Sequence, residues 1–211
     1  MKHVCDTDIY GITGEAFSKG RSNLEVVERM IRAGIKVIQY REKEKSMGEK
    51  YRECAAIRKM TSENGVIFIV NDHVDLALAV SADGIHVGQD DMPVSVIRRI
   101  TGGAMTIGLS THSREQAEKA VADGVDYIGV GPIFSTQTKK DVVDPVGFDY
   151  LDYVVKRRDI PFVAIGGIKE SNVAELVKRG ATCVAMITEL VGADHMAEKV
   201  ENIRNIMKKE C

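Results

Sequence analysis

The sequence contains no tryptophan, and aromatic residues make up only 5% of it. That scarcity argues against a platform on which single-stranded nucleic acid would stack its bases. An excess of one charge is missing too: 29 Lys and Arg stand against 31 Asp and Glu, a formal net charge of −2. Without a positive field there is no general attraction to nucleic acid or an anionic membrane, so any anion must be met locally. No stretch approaches the roughly 20 apolar residues of a membrane span, and Lys2, Asp6 and Asp8 stand where a signal peptide would carry its apolar run. These absences lead us to expect a cytoplasmic protein. Cys5, Cys54, Cys183 and Cys211 are far apart with no CxxC pair, which suggests neither a zinc knuckle nor a disulfide framework. There is no Asn-x-Ser/Thr acceptor, no HExxH or comparable histidine cluster, and no nucleophilic triad, so no His-based catalysis is assigned.

What is present is ordinary for a globular chain: 211 residues, 44% hydrophobic and 28% charged, enough for one sizeable core. Short β-rich runs alternate with helical patterns throughout, at residues 8–13, 36–42, 66–72, 84–89, 105–111, 127–134, 162–168 and 183–190. Eight such units in 211 residues leave about 26 residues each, close to the smallest complete βα repeat. Ser46 with Glu49 and Ser113 with Gln116 read as capping boxes, and Met47, Tyr51, Cys54, Ile57 and Thr61 mark one helical face. Four units close on a glycine, Gly34, Gly84, Gly124 and Gly180, and enter the next strand almost at once. Such short returns force successive strands parallel. The expected fold is a (β/α)8 TIM barrel forming a single domain over residues 1–211, with a doubly wound sheet as the rival.

A parallel barrel places its chemistry at the C-terminal ends of the strands, and here those ends are unusually polar. The second carries Gln39, Arg41 and Lys43 on one face by the two-residue period, although residues 41–45 also read as a solvated charge run. The third ends in Asn71-Asp72 and the fourth in Gln89-Asp90-Asp91. Carboxylates at neighbouring ends suit Mg²⁺, whereas Asp90 or Asp91 would equally serve as a helix cap before Pro93, and spacing does not say which faces inward. After the sixth strand, Ser135 to Lys140 form a run of hydroxyls and cations that reads as a flap over the mouth. Gly166-Gly167 after the seventh strand and Thr188 after the eighth stand where such barrels commonly bind phosphate through backbone N–H groups. His86 reads as a hydrogen-bonded interior residue, and His112, just past Ser110, as a candidate substrate contact.

In this order, Gln39-Tyr40-Arg41-Glu42-Lys43, Val70-Asn71-Asp72, His86-Val87-Gly88-Gln89-Asp90-Asp91, Gly108-Leu109-Ser110, Gly131-Pro132-Ile133-Phe134, Thr136-Gln137-Thr138-Lys139 and Gly166-Gly167-Ile168 closely resemble the thiamine-phosphate synthase family. The resemblance implies a barrel transferase joining hydroxymethylpyrimidine diphosphate to thiazole phosphate, with Mg²⁺ as cofactor and pyrophosphate as the leaving group. It assigns Gln39 to the pyrimidine, Arg41, Lys43 and Asn71 to the diphosphate, and Asp72 and Asp91 to the metal. Ser110 and Lys139 would serve the pyrimidine diphosphate end. Thr136, Thr138, Gly167, Ile187 and Thr188 would hold the thiazole phosphate. The family mechanism it implies is dissociative: diphosphate departs from a stabilised pyrimidine carbocation before the thiazole nitrogen attacks. The expected partners are these two small molecules, without nucleic acid or membrane, and self-association is left open.

Three positions depart from the family pattern: Ser135, Thr188 and Glu189, the last putting a carboxylate beside an expected phosphate site. Two other functions are weighed. A related thiazole tautomerase would lack most of the diphosphate apparatus and would have a histidine where Pro132 stands. A non-catalytic sensor of phosphorylated ligands would not need paired carboxylates opposite two cations.

Overall fold

A computed structural model describes residues 4–136, 138, 144–157 and 159–210. Among these, eight parallel strands close into a barrel in chain order: β1 (Ile9–Ile12), β2 (Val37–Tyr40), β3 (Ile67–Asn71), β4 (Gly84–Val87), β5 (Thr106–Thr111), β6 (Tyr127–Val130), β7 (Phe162–Ile165) and β8 (Val184–Met186). β1 pairs with both β2 and β8, which closes the ring and excludes the doubly wound alternative. Around it run α1 (Asn23–Arg32), α2 (Met47–Glu63), α3 (Val74–Ala79), α4 (Val94–Ile100), α5 (Arg114–Ala122), α6 (Gly147–Lys156), α7 (Val173–Lys178), α8 (Thr188–Val191) and α9 (Met196–Glu210).

The two-residue period sorts each strand between two cores. Ile9, Ile38, Phe68, Val70, Ile85, Ile107, Ile128, Ala164 and Val184 face outward and are buried against the helices. Tyr10, Ile12, Val37, Ile69, Tyr127, Val163, Cys183 and Ala185 face inward and fill the barrel. Each fully buried large apolar side chain contributes about 1.5–3 kcal/mol, so both layers hold the strand ends in register beneath the mouth. At the opposite face a repeated device anchors strand starts. Asp8, Asp83 and Asp126 accept the N–H of Ile9, Phe68 and Ile107 at 2.7, 2.8 and 2.7 Å. They pair in turn with Arg204, Arg58 and Arg98.

Several local expectations change. The strands are shorter than their sequence ranges because the chain leaves the ladder to form the rim. β6 stops at Val130, since Pro132 has no N–H to donate, but Ile133 and Phe134 still donate to the Ile165 and Gly166 carbonyls at 2.9 and 3.0 Å. Ser46 and Glu49 form a full capping box. Ser113 caps Gln116 N–H, but the Gln116 side chain accepts instead from His112 N–H at 2.7 Å. Gly34, Gly124 and Gly180 take the left-handed conformation at helix ends, whereas Gly84 lies within β4 and Ser81, at φ 53°, makes that turn. On α2 the buried stripe is Lys50, Cys54, Ile57 and Thr61. Tyr51 is one helical step, about 100°, from Lys50 and stays exposed, as does Met47 in the first turn.

Candidate active site

The mouth is built by residues that continue the inward parity of their strands. Gln39, one before the end of β2, is 3% exposed and points into the barrel. Two residues on, Arg41 keeps that parity: its backbone N–H donates to Thr13 Oγ1 at 2.8 Å, tying the β2 end to the β1 loop. Among the described residues its guanidinium makes no hydrogen bond or ion pair. Burial draws its pKa down, with Asp72 and Glu42 only partly offsetting this. A desolvated cation without a fixed partner is a receptor for an anionic ligand.

Lys43 reaches the same place by a different route. The chain has left the sheet, and its Nζ lies 2.6 Å from Asp72 Oδ2. Behind this loop, Lys45 bridges Glu15 and Glu53, and Tyr40 donates to Glu53 at 2.7 Å. This half-buried cluster fixes where the 41–45 segment turns. Asp72 follows β3 at φ 61°, a left-handed conformation that asparagine and aspartate tolerate best, pinned by its N–H to the His86 carbonyl at 2.9 Å.

Asp91 accepts from Gly88 N–H at 2.7 Å, which folds the β4 loop back until its carboxyl contacts that of Asp72. The helix-cap alternative fails at this point: Pro93 occupies the cap position of α4, with no side-chain cap bond. Burial and the negative charge of Asp72 push Asp91 upward, against the Gly88 hydrogen bond. Asp72 is held low despite burial, chiefly by the hydrogen bond and charge of Lys43. Among the described residues no group of three or more His, Cys, Asp or Glu forms a metal cage. Two neighbouring carboxylates offer oxygen donors of the kind hard cations take, but fewer than an all-protein cage supplies.

The other half of the mouth is a cavity of about 560 Å³ lined by Ser110, His112, Thr136, Thr138, Gly166, Gly167, Ile187 and Thr188, among others. Thr136 and Thr138 hydrogen-bond to each other at 3.0 Å. His112 Nδ1 lies 2.5 Å from the Gly131 carbonyl, which fixes its proton there. Gly167 stands at φ +63°. Glu189 is not among the residues lining this cavity: its carboxylate accepts from Glu170 N–H and pairs with Lys199 of α9 at 3.3 Å. Lys139, expected at the pyrimidine diphosphate end, lies outside the described residues, as do Gln137 and Lys140.

Between the two halves, Gln39, Arg41, Asn71, His86, Ser110 and Tyr127 surround a narrower recess. Gln39 Nε2 donates to Tyr10 Oη at 2.9 Å, Tyr10 meets Tyr127 Oη at 3.0 Å, Tyr127 meets His86 Nδ1 at 3.0 Å, and His86 Nε2 meets Ser110 Oγ at 2.9 Å. His86 is the hydrogen-bonded interior residue expected. Tyr10 and Tyr127 escaped the sequence reading, although inward parity on β1 and β6 was the available signal.

Residues 9–190 match the family model described as thiamine monophosphate synthase. The chain is 62% identical over 210 residues to a thiamine-phosphate synthase of Pelotomaculum thermopropionicum, covering 100% of this chain and 96% of that one. To the thiamine-phosphate synthase of Caldicellulosiruptor saccharolyticus it is 51% identical over 202 residues, covering 96% and 91%. Among solved structures, a thiamine phosphate pyrophosphorylase from Pyrococcus furiosus superposes with a TM-score of 0.86 at 34% identity, covering 96% of each chain.

Proposed function

The chain belongs to the thiamine monophosphate synthase family, a transferase of thiamine biosynthesis, and from that premise we propose how its residues perform the transfer. The substrates are 4-amino-2-methyl-5-hydroxymethylpyrimidine diphosphate and 4-methyl-5-(2-phosphoethyl)thiazole. The bond between the methylene carbon and the diphosphate oxygen breaks, and its electron pair leaves with the diphosphate. The thiazole nitrogen lone pair then forms the new C–N bond, giving thiamine phosphate and pyrophosphate. No protein nucleophile is consumed.

Arg41 and Lys43 meet the diphosphate and offset the charge that accumulates on it as the bond stretches. Asn71 lines the same side, and Lys139 is assigned there by the family resemblance alone. Asp72 and Asp91 are the residues that would hold Mg²⁺, which when bound supplies positive charge to the diphosphate oxygens. Lys43, paired with Asp72 at 2.6 Å, keeps its ammonium on the diphosphate side of the carboxylates that would hold the metal. Gln39 and Ser110 hold the pyrimidine ring. Thr136, Thr138, Gly167 and the backbone at Ile187 and Thr188 hold the thiazole phosphate, whose site carries hydroxyl and amide donors.

The observation that carries this reading is the desolvated Arg41 guanidinium, without a hydrogen-bond or ion-pair partner among the described residues, beside the Lys43–Asp72–Asp91 cluster. The test is formation of thiamine phosphate from the two substrates by EDTA-stripped protein with and without added MgCl₂. Activity that appears only on add-back is expected. Equal turnover in EDTA, or none with Mg²⁺ restored, overturns the metal assignment.

A further inference from the structure

The hydrogen-bonded chain under the mouth has a direction. Each tyrosine hydroxyl owns one proton and each neutral imidazole one N–H. Since Gln39 Nε2 donates to Tyr10, the Tyr10 proton is left for Tyr127, the Tyr127 proton for His86 Nδ1, and the His86 Nε2 proton for Ser110 Oγ. With the Gln39 amide oriented this way, any other order strands a buried proton, and Tyr10 and Tyr127 are each only 2% exposed. Burial raises the pKa of both phenols, so both protons stay in place.

The ends are therefore complementary. Gln39 turns its carbonyl oxygen to the recess as an acceptor, and Ser110 has its own proton left to donate. Reversing either end requires the Gln39 amide to flip and every proton between to shift. The barrel is built to keep this line intact: a Cβ on Gly108 would lie 2.2 Å from Tyr127 Cζ and 2.5 Å from His86 Nδ1, and one on Gly129 3.3 Å from His86 Cε1.

We propose that Tyr10, Tyr127 and His86 are positioning residues that preset Gln39 as acceptor and Ser110 as donor, so that the recess selects a 4-aminopyrimidine over its 4-oxo counterpart. The amine offers a donor and the ring nitrogens offer acceptors, which matches the preset ends. The 4-oxo ring replaces the amine by an acceptor and protonates a ring nitrogen, so it meets the line with its polarity opposed. This inference rests on the reading that Gln39 and Ser110 contact the pyrimidine.

The experiment measures KM for the 4-aminopyrimidine diphosphate and the competitive Ki of the 4-oxopyrimidine diphosphate, in wild type, Ser110→Ala, Tyr127→Phe and Tyr10→Phe. Wild type should prefer the amino compound, and Tyr127→Phe should reduce the Ki/KM ratio about tenfold while the KM for the thiazole phosphate stays unchanged. If Tyr127→Phe does not fold, Tyr10→Phe carries the same expectation. A purely structural role would lower thermal stability and kcat but leave the ratio at its wild-type value, and that result overturns the relay. If Ser110→Ala leaves the KM of the aminopyrimidine diphosphate unchanged, the underlying assignment of the recess fails instead.

Discussion

Replacing Arg41 by alanine separates catalysis from folding more cleanly than any other change at this mouth. The guanidinium makes no hydrogen bond or ion pair among the described residues; only its backbone is engaged, through Thr13. Its removal takes away a desolvated charge rather than a structural contact, so stability should change by no more than about 1 kcal/mol. Its catalytic effect is larger. A unit charge about 4 Å from a developing negative charge, at an effective dielectric near 20, is worth about 4 kcal/mol. That agrees with the roughly 2.7–4 kcal/mol lost on removing one preorganised contact to a transition-state anion. We therefore expect kcat/KM for the pyrimidine diphosphate to fall about 100- to 1000-fold, with the thiazole phosphate KM little changed. Arg41→Lys should fall between, because the ammonium keeps the charge but loses the planar fork. The assay is pyrophosphate release over a matrix of both substrates, alongside thermal unfolding of each variant. A folded Arg41→Ala protein with kcat/KM within about threefold of wild type would refute the reasoning and make Arg41 a solvated rim charge.

Gly167→Ala tests the opposite half of the mouth. At φ +63° its Cβ would lie 2.6 Å from the Ser135 carbonyl oxygen and 2.9 Å from Phe134 Cβ. It should therefore destabilise the protein by about 1–3 kcal/mol and raise the thiazole phosphate KM at least about tenfold; an unchanged KM would separate this loop from the phosphate. Asp8→Asn tests the underside clamp. Burial raises the Asp8 pKa, but the hydrogen bond and charge of Arg204, with the Ile9 N–H, outweigh it and hold the folded carboxyl below the usual carboxylate range. A depressed folded pKa gives stability that is present above the unfolded carboxyl value, near 3.9, and is lost as pH falls through the folded one. With the Asp8 side chain 37% exposed, screening limits this to about 1 kcal/mol. Urea unfolding should show the variant's deficit at pH 7 and its shrinkage toward pH 3, whereas a deficit constant with pH would contradict the linkage.

The inward placement of Gln39 and Arg41 was legible because a strand's two-residue period extends one or two residues past its last ladder bond. Lys43 sits beyond that limit. It reaches the site through the turn fixed by Lys45, Glu15 and Glu53, residues whose meeting no spacing rule announces. The choice of Asp91 over Asp90 depended on a loop hydrogen bond to Gly88, which lies outside any periodic pattern. Ser46 and Glu49 announced their box because both partners lie within one turn, while Gln116 found a competing N–H at His112. Tyr10 and Tyr127 are 117 positions apart. Their contact follows from closure of the ring, so their parity was readable but their partnership was not.

The charge distribution around the mouth follows from the chemistry it must host. Both substrates are anions, and two unit charges about 7 Å apart at an effective dielectric near 20 repel by roughly 2 kcal/mol. A chain with net charge −2 has no general field to offset this, so compensation must be local and unequal. The cations and the paired carboxylates lie after β2, β3 and β4, the side that the proposed mechanism assigns to the departing diphosphate. The opposite rim presents hydroxyls and main-chain amides at Thr136, Thr138, Gly167 and Thr188, the donors that the proposed mechanism assigns to a phosphate whose charge does not change. Glu189, beside that rim, is drawn to Lys199 on the helix behind it, so it does not oppose the anion. An equal division of cations would bind both substrates comparably in ground and transition states. Concentrating them on the leaving-group side favours the transition state, and that difference is what accelerates the reaction.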